Sequence, residues 1–159
     1  LSPDECHMIA TASAFHDIGK IGIDEKILNK PGKLTPEEFE QIKQHTLIGA
    51  SMLDKMDRYK DEPLIKIAYQ ICRWHHERYD GRGYPDGLLG EEIPISAQIV
   101  SIADVYDALI SERAYKKAFS HEKALEMIVN GECGTFNPLL LETLVEIQPK
   151  LKEKMEEIA

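Results

Sequence analysis

Apolar residues recur at intervals of three and four along nearly the whole chain, which is the spacing of one face of an α-helix. Between residues 35 and 58 the apolar positions are Phe39, Ile42, Gly49, Met52, Leu53 and Met56. The preceding "TPEE" offers Thr35, Pro36 and Glu38 as a capping box with proline at the first helical position. The pattern predicts a helix from about 35 to 58 with these apolar side chains buried.

The same spacing predicts further helices, and no segment shows the alternation that is typical of a strand. "SPDE" offers Ser2 as the N-cap of a first helix. The later helices are predicted at about 63–78, 95–112 and 120–130, and from Asn137 onward. A chain of 159 residues, 43% hydrophobic and 30% charged, has the size and composition of one domain with a single core. The sequence therefore predicts an all-α protein, a single-domain bundle of about six helices over residues 1–159.

Charge and composition exclude several classes of protein. The net charge of −9 disfavours nonspecific binding to DNA or to anionic lipid, because both are polyanions. The three cysteines, Cys6, Cys72 and Cys133, form no C-x-x-C pair, which argues against a disulfide framework and a thiolate zinc site. No segment approaches the roughly 20 apolar residues of a membrane span, and the N-terminus lacks the pattern of a signal peptide. These features indicate a cytoplasmic protein.

Three histidines lie where a helix that needed only packing would not place them. His45 comes three residues after Ile42 on the predicted apolar face, and His75 comes four after Ile71. His76 is about 100° further round, so it can share a site with His75 only at the edge of the packing face. A buried imidazole needs hydrogen-bond partners, and one such histidine alone is more often a satisfied core residue than a metal ligand. Their joint occurrence favours a ligand role.

Two aspartates in apolar sequence surroundings also favour a metal site. His16 and Asp17 adjoin at the predicted end of the first helix, and Asp104 interrupts the apolar "IVSIADVYDALI". Burying an unpaired carboxylate is costly, so Asp104 needs a cation, or alternatively caps a helix or pairs with an arginine. Four imidazoles and two carboxylates at or near inward positions on four helices are enough for two metal ions that share a bridging carboxylate.

Five motifs occur in a fixed order: "HDIGKIGI", "KPGKLT", "HTLIGASML", "HHERYDGRGYPDGL" and "DVYDALISERAYKKAFS". Together they resemble the HD-GYP domain, the larger relative of the HD phosphohydrolases, over about residues 10–138. The resemblance implies a helical bundle of the HD-domain type that acts as a metal-dependent phosphodiesterase. The implied substrate is the bacterial second messenger cyclic di-GMP, opened to pGpG or further to GMP, although some members of the family prefer hybrid cyclic GMP-AMP.

The resemblance also implies roles for single residues. The implied metal ligands are His16, Asp17, His45, His75, His76 and Asp104. Two divalent ions are expected, with Asp17 as the bridging ligand, or three where an upstream helix adds ligands. Iron or manganese is the first expectation, with zinc or nickel as alternatives, because imidazole and carboxylate ligands suit all four. Lys20 is expected to neutralise a phosphate oxygen or protonate the leaving group, against the alternative of an exposed lysine at a helix end.

The substrate-binding residues implied by the resemblance come late in the chain. Arg113 and Lys116, three residues apart on one helical face, would bind the second phosphate of the substrate. The residues that give the family its name are Gly83, Tyr84 and Pro85. The glycines of this segment are expected to let the loop fold tightly beside the site, while Pro85 stiffens it. Glu77 is expected either to orient an imidazole or to be a solvated surface carboxylate.

One departure from the family concerns a helix upstream of the HD pair, which supplies a further histidine ligand in HD domains. Since the chain begins at Leu1, we expect an N-terminally truncated HD-GYP domain from a longer signalling protein with sensory or receiver domains N-terminal to it. Two other functions stay open: a signalling module that binds a cyclic dinucleotide or a protein partner without cleavage, and an HD phosphohydrolase for another nucleotide. A protein partner at the GYP loop and a homodimer are open as well.

Overall fold

Helices form the regular structure of residues 1–59, 61–112 and 117–158, which are the residues that the computed structural model describes, apart from one isolated bridge between Asp80 and Leu89. The α-helices are α1 (Pro3–Ser13), α2 (Glu25–Leu28), α3 (Pro36–Asp54), α4 (Pro63–Trp74), α5 (Ile95–Ile110), α6 (His121–Val129) and α7 (Pro138–Ile158), and 3₁₀ helices cover Ile18–Gly22 and Gly90–Glu92. The all-α prediction is confirmed. None of the helices among these residues combines the length and the apolar character needed to cross a membrane.

The helix starts that the sequence predicts from capping boxes are confirmed. Thr35 Oγ1 accepts the Glu38 N–H at 3.2 Å, and Glu38 Oε2 accepts the Thr35 N–H at 2.7 Å. Ser2 and Glu5 exchange the same two hydrogen bonds at the start of α1. Each pair satisfies two backbone N–H groups that the first turn of a helix leaves without an intrahelical partner.

Some helices end earlier than predicted, and one helix was not predicted. α3 ends at Asp54, before the predicted residue 58, and α4 ends at Trp74, so that His75 is a C-cap rather than a helical residue. The described residues contain seven α-helices rather than about six, because α2 was not predicted. With only four residues, α2 is too short to show helical periodicity in the sequence.

The buried face of α3 also differs from the predicted apolar face. Phe39, Met52 and Met56 are 44%, 38% and 38% exposed. The buried residues of α3 are His45, Thr46, Gly49, Ala50 and Leu53. These residues share the helical spacing but are mostly small or polar, so the helix presents a surface on which a neighbouring backbone can lie closely.

The chain forms two compact units, residues 1–101 and 102–159, and α5 runs across the division. The buried cluster of the first unit contains Ile9, Ala12, Leu53, Ala68, Ile71, Cys72 and Val100. The buried cluster of the second unit contains Ile102, Tyr106, Leu109, Ala124, Leu125, Ile128, Phe136 and Leu144. The sequence predicts one core, whereas the described residues form one cluster in each unit.

Gly19 brings the backbone of the 3₁₀ helix Ile18–Gly22 directly onto α3. A β-carbon at Gly19 would overlap the carbonyl oxygen of His45, and one at Gly49 would lie 3.2 Å from the Gly19 nitrogen. Two glycines facing each other allow this approach because neither carries a side chain. The contact places Asp17, the residue before the 3₁₀ helix, beside the buried face of α3.

We expect Gly19→Ala to destabilise the protein by about 1–3 kcal/mol, because the added methyl group must displace the backbone of α3. Gly22→Ala is the matched control in the same 3₁₀ helix, since its β-carbon would meet only the side chain of Ile48, which can rotate. Urea unfolding followed by circular dichroism measures both free energies. Equal losses for the two variants would contradict the close contact.

Candidate metal centre

His45 extends from the buried face of α3 and is 1% exposed. Its Nε2 lies 3.4 Å from Nε2 of His75, which is fully buried at the end of α4. One nitrogen from each of His45, His75 and His76 lies within 4.8 Å of the others. The three side chains therefore offer ligand atoms around one point.

His75 and His76 lie in the turn at the C-terminal end of α4 and not on the packing face of that helix. His75 is the C-cap residue, and the Glu77 N–H donates to the Trp74 carbonyl oxygen at 3.0 Å in the turn that follows. His76 is half-buried beyond the helix, with its ring centroid 4.1 Å from that of His75 and 5.1 Å from that of His45. The turn thus brings two adjacent side chains to the same side, which an ideal helix would separate by about 100°.

His16, His45 and His75 share one tautomer, because each ring bonds to a backbone carbonyl oxygen. Nδ1 of His16 donates to Ser13 O at 2.8 Å, Nδ1 of His45 to Ile42 O at 2.6 Å, and Nδ1 of His75 to Ile71 O at 2.8 Å. A carbonyl oxygen only accepts, so each Nδ1 carries the proton and the neutral ring keeps a lone pair on Nε2. Burial lowers the pKa of His45, which favours this neutral form. Each ring can therefore bind a metal ion through the lone pair on Nε2.

Asp17 lies between these imidazoles with its two oxygens on different sides. Oδ1 is 3.4 Å from Nε2 of His45 and 4.0 Å from Nε2 of His75. Oδ2 is 3.4 Å from Nε2 of His16. A carboxylate placed in this way can offer one oxygen to each of two cations.

The charge state of Asp17 is set by its neighbours. Burial by itself would raise the pKa of this carboxyl group, but the hydrogen bond from Lys20 and the positive charge of its ammonium group outweigh it and hold the pKa far below its usual range. Lys20 Nζ donates to Oδ2 at 2.5 Å, and the lysine side chain remains 43% exposed. Asp17 is therefore ionised at neutral pH, as a metal ligand must be.

Cys72 fastens the segment that carries His16 to α4. Its Sγ lies 2.9 Å from the carbonyl oxygen of Phe15 and donates to it, and burial raises the pKa of the thiol to about 12. Cys72 thus acts as a buried donor and not as a nucleophile. Neither Cys72 nor Gly19 was predicted to shape the site, because the contacts they make join segments far apart in sequence.

The GYP loop lies against the histidine pair, and Gly83 lets it fold tightly there. A β-carbon at Gly83 would overlap the backbone of Glu77 and Arg78, so this glycine allows the loop to pack on the chain itself. The Tyr84 ring stacks on His76 with centroids 4.7 Å apart and planes 24° apart. The loop therefore covers the histidine pair with an aromatic side chain.

Of the two alternatives for Glu77, the solvated surface carboxylate is wrong, and the role in orienting an imidazole stays a prediction. The residue is 2% exposed, so it is not a solvated surface carboxylate. Its carboxylate oxygens accept backbone N–H groups of residues 86, 87 and 88 and do not orient an imidazole of the candidate metal centre through any of these bonds. The sequence offered little signal for this arrangement, because the three donors are main-chain atoms.

The remaining site residues predicted from the sequence are not part of this geometry. Asp104 is half-buried in α5 and belongs to the second unit, so its pairing with His16 stays a prediction. Arg113 and Lys116 lie outside the described residues, and their roles stay predictions as well. The geometry above therefore concerns residues of the first unit only.

Residues 1–138 match the family described as HD domain. This match covers most of the chain, which therefore belongs to the HD domain family. The GYP sequence at 83–85 and the relatives described next support the HD-GYP type.

Several curated bacterial proteins are similar to the chain. A Vibrio cholerae protein named probable cyclic di-GMP phosphodiesterase is 45% identical over 151 residues, which are 93% of the chain and 34% of the relative. The cyclic di-GMP phosphodiesterase response regulator RpfG of Xanthomonas campestris is 42% identical over 154 residues, 96% of the chain and 39% of the relative. A Vibrio cholerae 3'3'-cGAMP-specific phosphodiesterase 2 is 40% identical over 146 residues, 92% of the chain and 27% of the relative. The chain thus spans about a third of the length of these relatives.

We expect His16, His45 and His75 of the metal-free protein to carry their proton on Nδ1 at pH 8, because each Nδ1 faces a carbonyl oxygen. Long-range ¹H–¹⁵N correlation spectra distinguish the two ring nitrogens. His7, which is exposed, is the control and should show a mixture of tautomers. Protonated Nε2 at His45 or His75 would contradict the claim that these rings offer an Nε2 lone pair to a metal ion.

Proposed function

We propose that the chain is the catalytic HD-GYP domain of a metal-dependent phosphodiesterase that hydrolyses cyclic di-GMP. The observation that carries the proposal is the position of Asp17, whose two oxygens face the Nε2 atoms of different histidines. A carboxylate that can bridge two metal ions is the central requirement of two-metal phosphodiester hydrolysis. The names of relatives that are 42–45% identical support cyclic di-GMP as the substrate.

The side chains of the candidate metal centre fit divalent transition metals. Unprotonated Nε2 atoms and an ionised carboxylate are the ligand types that iron, manganese, zinc and nickel accept, with iron or manganese as the first expectation. In this proposal one ion is held by His45, His75 and His76, and Asp17 bridges to a second. His16 and Asp104 complete the second set of ligands. Bound metal would polarise the phosphate and activate water for the attack on phosphorus.

Lys20 is proposed to act on the substrate from its position beside Asp17. Its ammonium group touches Oδ2, the oxygen that faces His16, and its side chain is partly exposed. A lysine with this freedom can leave the carboxylate when a cation binds there. It would then neutralise a phosphate oxygen or protonate the departing ribose oxygen.

Arg113 and Lys116 are proposed to bind the second phosphate of the cyclic dinucleotide. This assignment rests on the resemblance of "SERAYKK" to the substrate-contacting motif of the family. The guanidinium group can donate two parallel hydrogen bonds to phosphate oxygens, which suits a fixed second anchor point. The linear product pGpG, or GMP after a further cleavage, would follow from hydrolysis at the metal centre.

Two alternatives concern the ligand and its fate. Relatives named as specific for 3'3'-cGAMP favour a hybrid cyclic dinucleotide as an alternative substrate. The contact between Lys20 and Asp17 favours a module that binds a dinucleotide without cleaving it, because the ammonium group lies on the oxygen that a cation at His16 would use. Both alternatives are outcomes of the assay described below.

We also propose that residues 1–159 act as one HD-GYP module of a longer signalling protein. The support is that the curated relatives are about three times as long as the matched region and that one is named a response regulator. Sensory or receiver domains N-terminal to the module, a protein partner at the GYP loop and a homodimer belong to this proposal.

Asp17→Asn is expected to abolish turnover of cyclic di-GMP by the manganese-loaded protein, because an amide offers only one oxygen and cannot bridge. Metal content measured on the same sample should fall as well. Asp61→Asn is the matched control, since Asp61 is also paired with a lysine but its side chain is 89% exposed. Full turnover by Asp17→Asn would exclude the two-metal mechanism. A wild-type protein that binds metal and dinucleotide without cleavage would favour the binding module.

Arg113→Ala is expected to raise KM for cyclic di-GMP with little change in kcat, because an arginine that binds the distal phosphate contributes equally to the ground state and the transition state. Steady-state kinetics with cyclic di-GMP and 3'3'-cGAMP in parallel measure both constants. Arg58→Ala, at an exposed position, is the control. A fall in kcat with unchanged KM would instead place Arg113 at the reacting phosphate.

A further inference from the structure

The buried carboxylate of Glu77 holds a distant turn of the chain against the end of α4. The N–H groups of Asp86 and Gly87 donate to Oε1 at 2.8 and 3.0 Å, and the N–H of Leu88 donates to Oε2 at 3.1 Å. Three successive N–H groups directed at one ionised acceptor form an anion-binding nest, and such bonds are stronger than those between neutral groups. Glu77 therefore determines where the turn formed by residues 86–88 can lie.

The same turn is held a second time through the side chain of Asp86. Arg73 donates to both carboxylate oxygens, from Nε at 2.8 Å and from its second terminal nitrogen at 2.9 Å. Trp74 Nε1 also donates to Asp86, at 2.7 Å. Glu77, which follows the histidine pair, thus binds the backbone of the turn. Arg73 and Trp74, which precede the pair, bind the Asp86 side chain.

The loop between these attachments places Tyr84 against His76. The Tyr84 N–H donates to the His76 carbonyl oxygen at 3.3 Å, and the two rings stack. Gly83 lies so close to the backbone of Glu77 that a β-carbon would not fit between them. Phe39 contacts the Tyr84 ring edge-on, with centroids 6.3 Å apart. The closure of the loop on Glu77 therefore contributes to the position of Tyr84.

We propose that Glu77 is a positioning residue for metal binding, because it closes the loop that holds the Tyr84 ring on the imidazole of His76. His76 lies in the turn beyond the end of α4, where the Tyr84 ring covers it. A ring held in the ligating orientation before the metal arrives loses less conformational freedom on binding. The inference rests on the proposed function in one respect, namely that metal binds at His76.

Three variants separate this role from simple stability. Glu77→Gln keeps the size of the side chain but turns an NH₂ group toward a backbone N–H, so at least one of the three bonds is lost. Tyr84→Leu removes the stacked ring and leaves Glu77 intact, whereas Tyr84→Phe keeps the ring. Glu92→Gln is the matched control, because Glu92 also accepts a backbone N–H of this segment, from Leu89, at the far end of the loop.

The measurements are Mn²⁺ affinity by electron paramagnetic resonance, the visible spectrum of the Co²⁺-loaded protein and the emission of Trp74, the single tryptophan of the chain. We expect Glu77→Gln and Tyr84→Leu each to weaken Mn²⁺ binding by about 10- to 100-fold, the range found when partners that orient a ligand are removed. Both should alter the Co²⁺ spectrum, and only Glu77→Gln should shift the Trp74 emission. Tyr84→Phe and Glu92→Gln should bind Mn²⁺ like the wild type.

We expect the two losses of Mn²⁺ affinity not to add, because both changes remove the same contact to His76. The double variant Glu77→Gln/Tyr84→Leu should therefore have the same Mn²⁺ affinity as the single variant that binds Mn²⁺ less tightly. Additive losses would overturn the inference, as would wild-type affinity and an unchanged Co²⁺ spectrum in Glu77→Gln. If Glu77→Gln does not fold, a wild-type Mn²⁺ affinity of Tyr84→Leu is enough to overturn the inference. A wild-type protein that binds no Mn²⁺ would instead overturn the proposed function.

Discussion

The contact between the backbone of Gly19 and α3 is the constraint on which the candidate metal centre depends. It brings the 3₁₀ helix so close to α3 that the carboxylate of Asp17 reaches Nε2 of His45. A side chain at either Gly19 or Gly49 would separate the two segments and draw the carboxylate away from the imidazoles. The most informative residues for the site are therefore two that carry no functional group.

The histidines achieve their orientation through local bonds. In three of them Nδ1 donates to a carbonyl oxygen three or four residues earlier, so the helix or turn that carries the ring also selects its tautomer. No distant carboxylate is needed for that purpose. The chain can thus use two carboxylates elsewhere: the half-buried Asp17 among the imidazoles and the buried Glu77 beneath the GYP loop.

The sequence could predict the longer helices, because their apolar residues follow helical spacing. The same spacing placed His45 and His75 on inward faces, and the structure brings them together with His76, while their role as ligands stays a prediction. The end of α4 could not be located, because no glycine or proline follows Trp74 before Gly81 and the C-cap at His75 has no distinctive residue type. The role of Glu77 could not be predicted either, since its partners are backbone N–H groups ten residues away whose position depends on the folded loop.

The net charge of −9 opposes the binding of an anionic dinucleotide, but the charge near the candidate metal centre differs from that of the whole chain. Burial favours the neutral form of His45, and the single charge of Asp17 is matched by that of Lys20 at 2.5 Å. Divalent cations bound to such ligands would leave the centre positive, because the ligands contribute little negative charge of their own. The attraction for phosphate would then be confined to the metal centre, and the acidic remainder of the surface would repel nucleic acid and other polyanions.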